Sequence, residues 1–458
     1  MTALCGGLRR LIVLVSVLGI STAAYAQDGA PIVFPDTRYE PVDWTDLDGW
    51  NSDDHAAAFA AFLTSCTTLD KKHRQERQPT AIPLALRDIC ERARQAIPLD
   101  EDGAKSFFED NFRPIRINRL GDAEGFLTGY YEPIISGSRV PTGVFTAPLY
   151  RRPPNLVVSG WRRLGKDAFP SKGVLVGRRV GRRKIVPYYT RAEIEDGALD
   201  GWHLEICYLH DPVDVLFAQI QGSARIRLED GTILRVNYDS HNGWPYTPVG
   251  RILVNDKIMT KDQVSMQSIR AWMEANPDQA KEVRRENKAY VFFRITDLST
   301  EDEAVGGEGV ELMPGRSIAI DRALHAYGTP FFIEAALPIA GQKAETKFDR
   351  LVIAQDTGSA IVGPARADIY FGAGDEAARI AGRIKNAGEF VMLIPRELDP
   401  VAAGRNMPLP PERPGMFSFN FGTMDDPTAV DPTADGTPPQ AAALAPAAKA
   451  NAQSGRKK

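Results

Sequence analysis

Two aspartates, Asp356 and Asp368, stand twelve residues apart in the stretch LVIAQDTGSAIVGPARADIYFGAGDEA, which runs from Leu351 to Ala377. The apolar run Leu351 to Ala354 leads into Asp356, and Asp368 sits between Ala367 and Ile369. A carboxyl at the edge of an apolar segment loses hydration, and a second carboxyl nearby disfavours its ionisation. Both effects hold the proton to higher pH, which is what general acid–base chemistry needs. The plain alternative is a solvated turn in which Asp356 caps Thr357 and Gly358. The six histidines show no metal-ligand spacing and no Cys-x-x-Cys occurs, so a metal site is not expected.

The elements that must position these carboxyls read as strands. They are Ser317 to Asp321, Pro330 to Glu334 and Leu351 to Gln355, followed by a helix over Asp375 to Asn386 and a last strand from Glu389 to Ile394. Helices come first in the chain. Ser52-Asp53-Asp54 caps a run from Ala56 to Cys66, and Pro83 to Ile97 and Asp102 to Asn111 follow. Between these groups the pattern is mostly β. Gly173 to Val176 and Lys184 to Tyr188 are short strands, and Asp230-Gly231 turns a hairpin. Phe217 to Ser223 alternates apolar and polar residues, which predicts a strand with Gln219, Gln221 and Ser223 along one sugar-facing side. Thr128, Tyr130 and Tyr131, in Leu127-Thr-Gly-Tyr-Tyr-Glu-Pro133, suit a strand end lining a groove, where tyrosines stack on sugars. Ser265 to Asn276 is an amphipathic helix and Asn287 to Ile295 a strand. The fold class expected is mainly β with N-terminal helices (α+β).

At 458 residues, 43% hydrophobic and 25% charged, the chain is ordinary for globular domains, and its net charge of -4 gives no general affinity for nucleic acid. Arg9-Arg10, the apolar run Leu11 to Ile20 and Ala24-Tyr25-Ala26 read as a signal peptide over residues 1–26. No later window is long and apolar enough to make a transmembrane segment. Export permits disulfides: Cys66 and Cys90 fall in helical patterns and could clamp two helices, leaving Cys207 buried and free. The basic pairs at Arg151, Arg162, Arg178 and Arg182 read as a solvated face or a contact with an anionic wall polymer. Residues 401–458 are Pro/Ala-rich and read as largely disordered.

Asp356-Thr-Gly-Ser359 spells the tetrad of aspartic proteases, but a pepsin-like chain needs two such tetrads and only one occurs. A homodimeric protease remains, and it leaves Asp368 without a role. The whole stretch resembles the 3D domain, named for three aspartates, with Asp321 before Tyr327-Gly-Thr-Pro330 in the third place. Together with Gly129-Tyr-Tyr-Glu-Pro133, Gln219-Ile-Gln-Gly-Ser223 and Asn287-Lys-Ala-Tyr-Val-Phe-Phe293, it resembles the membrane-bound lytic murein transglycosylase A family over roughly Phe126 to Ile394.

That resemblance implies a double-psi β-barrel main domain with an inserted second β-domain and a groove between them. The expected boundaries are 27–133 and 249–400 for the main domain and 134–248 for the insert. It implies non-hydrolytic cleavage of the β-1,4 bond between N-acetylmuramic acid and N-acetylglucosamine, with Asp368 as acid and then base. Asp356 would orient a hydroxyl or support charge, Asp321 would be structural or back up the groups that touch the substrate, and no cofactor would be required. Peptidoglycan glycan strands are the implied partner, with other cell-wall enzymes as further candidates. The family's lipid-anchored relatives carry a cysteine at the cleavage site, where this chain has Gln27, so a periplasmic protein at most peripherally associated with the outer membrane is expected. A non-catalytic, expansin-like wall-binding module stands as the other alternative.

Overall fold

A computed structural model describes residues 36–73, 81–159, 175–182, 184–341 and 346–399. The signal segment, the tail after 400 and the Arg162-Arg163 pair lie outside the described residues.

The chain opens with β1 (Thr37–Pro41) and three helices, α1 (His55–His73), α2 (Ala81–Ala96) and α3 (Glu101–Asn111). Asp100 caps α3, accepting from the Gly103 amide at 2.8 Å. Phe59 and Phe62 of α1 meet Phe107 and Phe108 of α3 mostly edge-on, 5.0–6.3 Å between ring centres. Cys66 and Cys90 form a disulfide that ties α1 to α2. Closing a loop of 24 residues removes chain entropy worth about 3 kcal/mol. Reduction should therefore lower the melting temperature, and a scan with and without reductant that shows no shift would contradict this.

Next come β2 (Phe112–Arg119) and β3 (Gly125–Glu132). After Pro133 the chain leaves for a second sheet, passing through β4 (Ile134–Ser138), β5 (Ala147–Tyr150), β6 (Leu156–Ser159), β7 (Leu175–Val180) and β8 (Lys184–Val186). Then follow α4 (Arg191–Glu193), β9 (Glu205–Leu209), α5 (Pro212–Gln221), β10 (Ser223–Leu228), β11 (Ile233–His241), α6 (Val249–Asn255), α7 (Met266–Ala275), α8 (Pro277–Glu286) and β12 (Val291–Ile295). The order in this sheet is β12-β11-β10-β4-β9-β5, with β6, β7 and β8 forming a small sheet of their own. Its core holds Leu149, Cys207, Leu209, Ile226, Val236 and Phe293. Cys207 is free, and burial pushes its thiol up to about 12.

The chain then returns with β13 (Ser317–Ile320), β14 (Pro330–Leu337), β15 (Thr346–Thr357), β16 (Arg366–Ala373), α9 (Gly374–Ala381) and β17 (Lys385–Pro395). The order β17-β14-β15-β13-β16-β3 closes on itself, because Lys385 to Gly388 of β17 pair with Gly125 to Thr128 of β3. This is a closed six-stranded barrel, parallel at β13/β15 and β16/β3 and antiparallel elsewhere. Closure leaves no unpaired edge in this wall. Ile318, Phe331, Leu351, Ile353, Ile369 and Val391, drawn from both faces of the wall, share one buried core with the N-terminal helices. Helix α9 lies so tightly on β3 that a Cβ at Gly129 would meet the Ala381 Cα at 2.8 Å.

Two expectations change. The insert does not end at Pro248: β12 pairs with β11, so Pro248 to Glu286 supply helices to the insert and the chain regains the barrel only at Ser317. Phe217 to Gln221 is helical, not a strand. Asp211 accepts from the Val213 and Asp214 amides at 2.6 and 3.2 Å, Pro212 occupies the first turn, and Gly222 ends the helix at φ +82°. Those stop signals outweigh a short alternation of Ala, Gln and Ile.

Candidate active site

Asp356 and Asp368 lie on either side of one residue. Ala319 of β13 is opposite Asp356 of β15 and opposite Asp368 of β16, and Asp368 is opposite Thr128 of β3. Four neighbouring strands thus present Asp356, Ala319, Asp368 and Thr128 in one row. Facing residues on adjacent strands share a side, so both carboxyls point the same way, about 10 Å apart at their backbones across two strand spacings. Ala319 is buried against Tyr130, Leu312, Ile361 and Tyr370, and its side chain takes up little of the space between the carboxyls. Ala319→Leu should fill that space and displace a carboxyl. A shift near 1 Å costs on the order of 100-fold in rate. A variant that folds and keeps near wild-type turnover would show that the row does not matter.

The two carboxyls have different surroundings. Asp356 accepts three hydrogen bonds: from the amides of Gly307 (2.7 Å) and Thr357 (2.8 Å) and from the Tyr130 hydroxyl (2.8 Å). Gly307 comes this close because it has no side chain; a Cβ there would meet the Tyr327 hydroxyl at 2.6 Å. Burial raises the Asp356 pKa above the usual carboxylate range, and the three donors only partly oppose the rise. Tyr130, buried beside both carboxyls, is held far above its usual range and stays a donor. Its ring lies 5.3 Å from that of Tyr370, whose hydroxyl donates to Glu303 at 2.6 Å.

Asp368 accepts one bond, from the Thr128 hydroxyl at 2.7 Å. Desolvation pushes its carboxyl up to about 6; Arg366 and Thr128 oppose the rise and Asp356 adds to it. The folded protein therefore binds a proton there that the unfolded chain, near 3.9, has already released. The contribution of this group to stability is full below about pH 4 and is lost as pH rises towards 6. Asp368→Asn removes that cost, so it should be more stable than wild type by roughly 2–3 kcal/mol at pH 7 and equal to it at pH 4. Equal melting temperatures at both pH values would refute this.

The other predicted residues are placed as follows. Asp321 locks a turn, accepting from the Ala323 and Gly363 amides, each at 2.9 Å. Tyr131 follows Tyr130 on a strand and so points to the opposite side. It packs on Ala377 and Ala381 and lines an outer cavity of about 410 Å³ together with Asp214, Arg270 and Asp375. It does not join Tyr130 at the carboxyls. Gln219 and Gln221 are buried and their amides are used inside the protein. Gln219 accepts from Arg191 at 2.6 Å and donates to the Val291 carbonyl at 3.1 Å; Gln221 accepts from the Tyr131 amide at 3.0 Å. Ser223 is buried opposite Asn237 at the start of β10. These three do not form a sugar-facing row; they hold the insert together and against β3.

Two residues near the carboxyls went unnoticed in the sequence, Ala319 and Arg366. Both depend on strand register, which no motif announced. Among the described residues, one group has metal-ligand spacing: His210, Asp211 and Asp214. Asp211 already caps α5, and Asp214 accepts from Arg270 at 2.7 Å.

Comparison with known proteins fits this geometry. A family model described as the MltA specific insert domain matches residues 126–294, and the 3D domain matches 316–394. A Vibrio cholerae protein named membrane-bound lytic murein transglycosylase A is 31% identical over 298 residues, covering 64% of this chain and 71% of that protein. The chain belongs to the membrane-bound lytic murein transglycosylase A family. A membrane-bound lytic murein transglycosylase from Agrobacterium tumefaciens shares the fold with a TM-score of 0.70 and 34% identity, over 80% of this chain and 99% of that one. MltA from Neisseria gonorrhoeae in a monoclinic form gives 0.65 and 33%, over 80% and 95%. The first matched segment of the family runs to 294, close to the end of β12, and the second covers β13 to β17.

Proposed function

We propose that this protein is a peptidoglycan lytic transglycosylase that uses Asp368 as acid and then as base. The observation that carries the reading is the contrast between its two carboxyls. Asp356 is held by three donors, whereas Asp368 has one hydroxyl partner and a pKa raised to about 6. Burial raises both carboxyls, but three donors favour the anion at Asp356, whereas Asp368 has only the Thr128 hydroxyl against it and is the better placed of the two to carry a transferable proton.

In the first step Asp368 gives its proton to the glycosidic oxygen leaving with N-acetylglucosamine, and the bond from that oxygen to C1 of N-acetylmuramic acid breaks. Positive charge grows on the sugar ring, and the Asp356 carboxylate faces it across Ala319. The C6 hydroxyl of the same sugar then bonds to C1, and its proton returns to Asp368. The product ends in 1,6-anhydro-N-acetylmuramic acid and no water is consumed. Ordinary glycosidases need two working carboxyls because water must be activated or a covalent sugar hydrolysed. Here the substrate's own hydroxyl makes one sufficient.

The protease reading asks Asp356 to share a proton with a second copy, yet its oxygens are already engaged within one chain. A pure binding module gives no reason for a carboxyl lifted towards neutrality. Digestion of purified murein sacculi tests the proposal: anhydro-muropeptides are expected, and reducing-end muropeptides alone would refute it. We further propose action in the periplasm. Among the described residues, no helix is long and apolar enough to cross a membrane.

A further inference from the structure

We propose that Arg366 is a positioning residue for Asp368, acting through the Thr128 hydroxyl to fix which carboxyl oxygen carries the transferable proton. This rests on the acid–base reading above. Arg366 Nη2 donates to Thr128 Oγ1 at 2.8 Å, and Thr128 Oγ1 lies 2.7 Å from Asp368 Oδ1. A guanidinium has donors only. The Thr128 oxygen is therefore used as an acceptor on the Arg366 side, and its single proton is turned towards Asp368. Oδ1 is thereby engaged as an acceptor, and the acidic proton belongs on Oδ2, the oxygen with no protein donor among the described residues.

The guanidinium is itself anchored. Nη1 donates to the carbonyls of Ala367 and Phe126, the latter at 3.4 Å, and the group lies 5.3 Å from the centre of the Phe126 ring. Its charge is directed at Asp368 through one hydroxyl, and Asp368 is the acid that favours the guanidinium's charge against its burial. A direct bidentate pair would hold the carboxyl ionised and end its use as an acid. One intervening hydroxyl keeps the cation close enough to favour the carboxylate left after the first proton transfer, but not to prevent protonation.

The other groups facing Asp368 are few. From β15 comes Asp356, which raises its pKa, and from β3 comes Tyr130, a neutral donor. Lys385 on β17 is paired with Thr128 in register but turns its amine to the carbonyls of Lys261, Asp262 and Val264 at 2.9–3.3 Å. Arg366 is the cation that acts on Asp368.

The test uses the full-length protein, with Arg366→Gln, Arg366→Lys and Asp368→Asn. The Asp368 carboxyl is titrated by carbon-13 NMR on aspartate-labelled protein, identified by its loss in Asp368→Asn. Anhydro-muropeptide formation is followed against pH in parallel. Arg366→Gln should move the Asp368 titration upward by about one pH unit, the low end of what a nearby cation does. The high-pH fall in activity should move with it, and Arg366→Lys should restore both most of the way. An unmoved titration in Arg366→Gln, or a lysine variant as shifted as the glutamine one, would overturn the proposal and leave the role of Asp368 intact. If the titration moves as expected and Asp368→Asn still makes anhydro ends, the link from Arg366 to Asp368 stands and the acid–base assignment fails.

Discussion

Asp368→Asn should abolish anhydro-product formation from murein while leaving glycan binding nearly intact. The amide keeps the size of the carboxyl and can still accept from Thr128, so the row across β15, β13, β16 and β3 is preserved. What disappears is a proton that must leave and return. Acid–base help in one step is typically worth about 100- to 10,000-fold. A residue that serves both steps should cost the upper figure or more. Asp356→Asn should hurt less, because it removes charge support and leaves the acid in place. It also removes a like charge, so the Asp368 pKa should fall and the high-pH decline in activity should move to lower pH. Comparing the two variants on sacculi decides the assignment. Near wild-type anhydro-muropeptide yield from Asp368→Asn would end it.

The second large effect concerns Glu132, in the motif that follows Tyr131. This carboxylate is almost fully buried and accepts from Arg225 at 2.7 Å and Arg235 at 3.0 Å. The two arginines belong to β10 and β11 of the insert, whereas Glu132 ends β3 of the barrel. They also hold the following loop, donating to the carbonyls of Thr300 and Asp302 at 2.7–3.0 Å. That loop continues to Gly307, the donor to Asp356. Glu132→Gln leaves two guanidiniums facing a neutral amide in a dry site. Breaking a buried pair in this way costs about 3–5 kcal/mol. We expect a large drop in denaturation midpoint together with weakened activity, because the loop that fixes Asp356 loosens. A loss below about 1 kcal/mol in urea unfolding would show that water reaches the cluster and screens it.

Much of the site could be read from the sequence where local chemistry announced it. Asp356 and Asp368 ended or interrupted apolar runs, and Ser317 to Ile320 and Thr346 to Thr357 are strands around them. What stayed hidden depends on pairing. Ala319 matters because two different strands place an aspartate opposite it, and Arg366 because its side chain reaches Thr128, far away in sequence. Tyr130 and Tyr131 looked equivalent, but the two-residue period of a strand separates them. The stretch before Gly222 shows the opposite error. Alternation suggested a strand, although Asp211-Pro212 and Gly222 are start and stop signals for a helix. The end of the insert was misplaced for a related reason: Pro248 opens α6, and only long-range pairing with β11 reveals that β12 belongs to the second sheet.

The closing strand β17 has a consequence for how the molecule is made. It pairs with β3 through its first four residues and with β14 and β2 through the rest. β3, which carries Thr128, is therefore synthesised more than 250 residues before its neighbour on that side. Until Lys385 to Pro395 emerge, β3 and β14 have no neighbour on that side, and the wall that holds Asp368 is open with two bare edges. Contacts this distant in sequence also form slowly. Unfinished forms with such bare edges are prone to stick edge to edge until the last strand closes the wall.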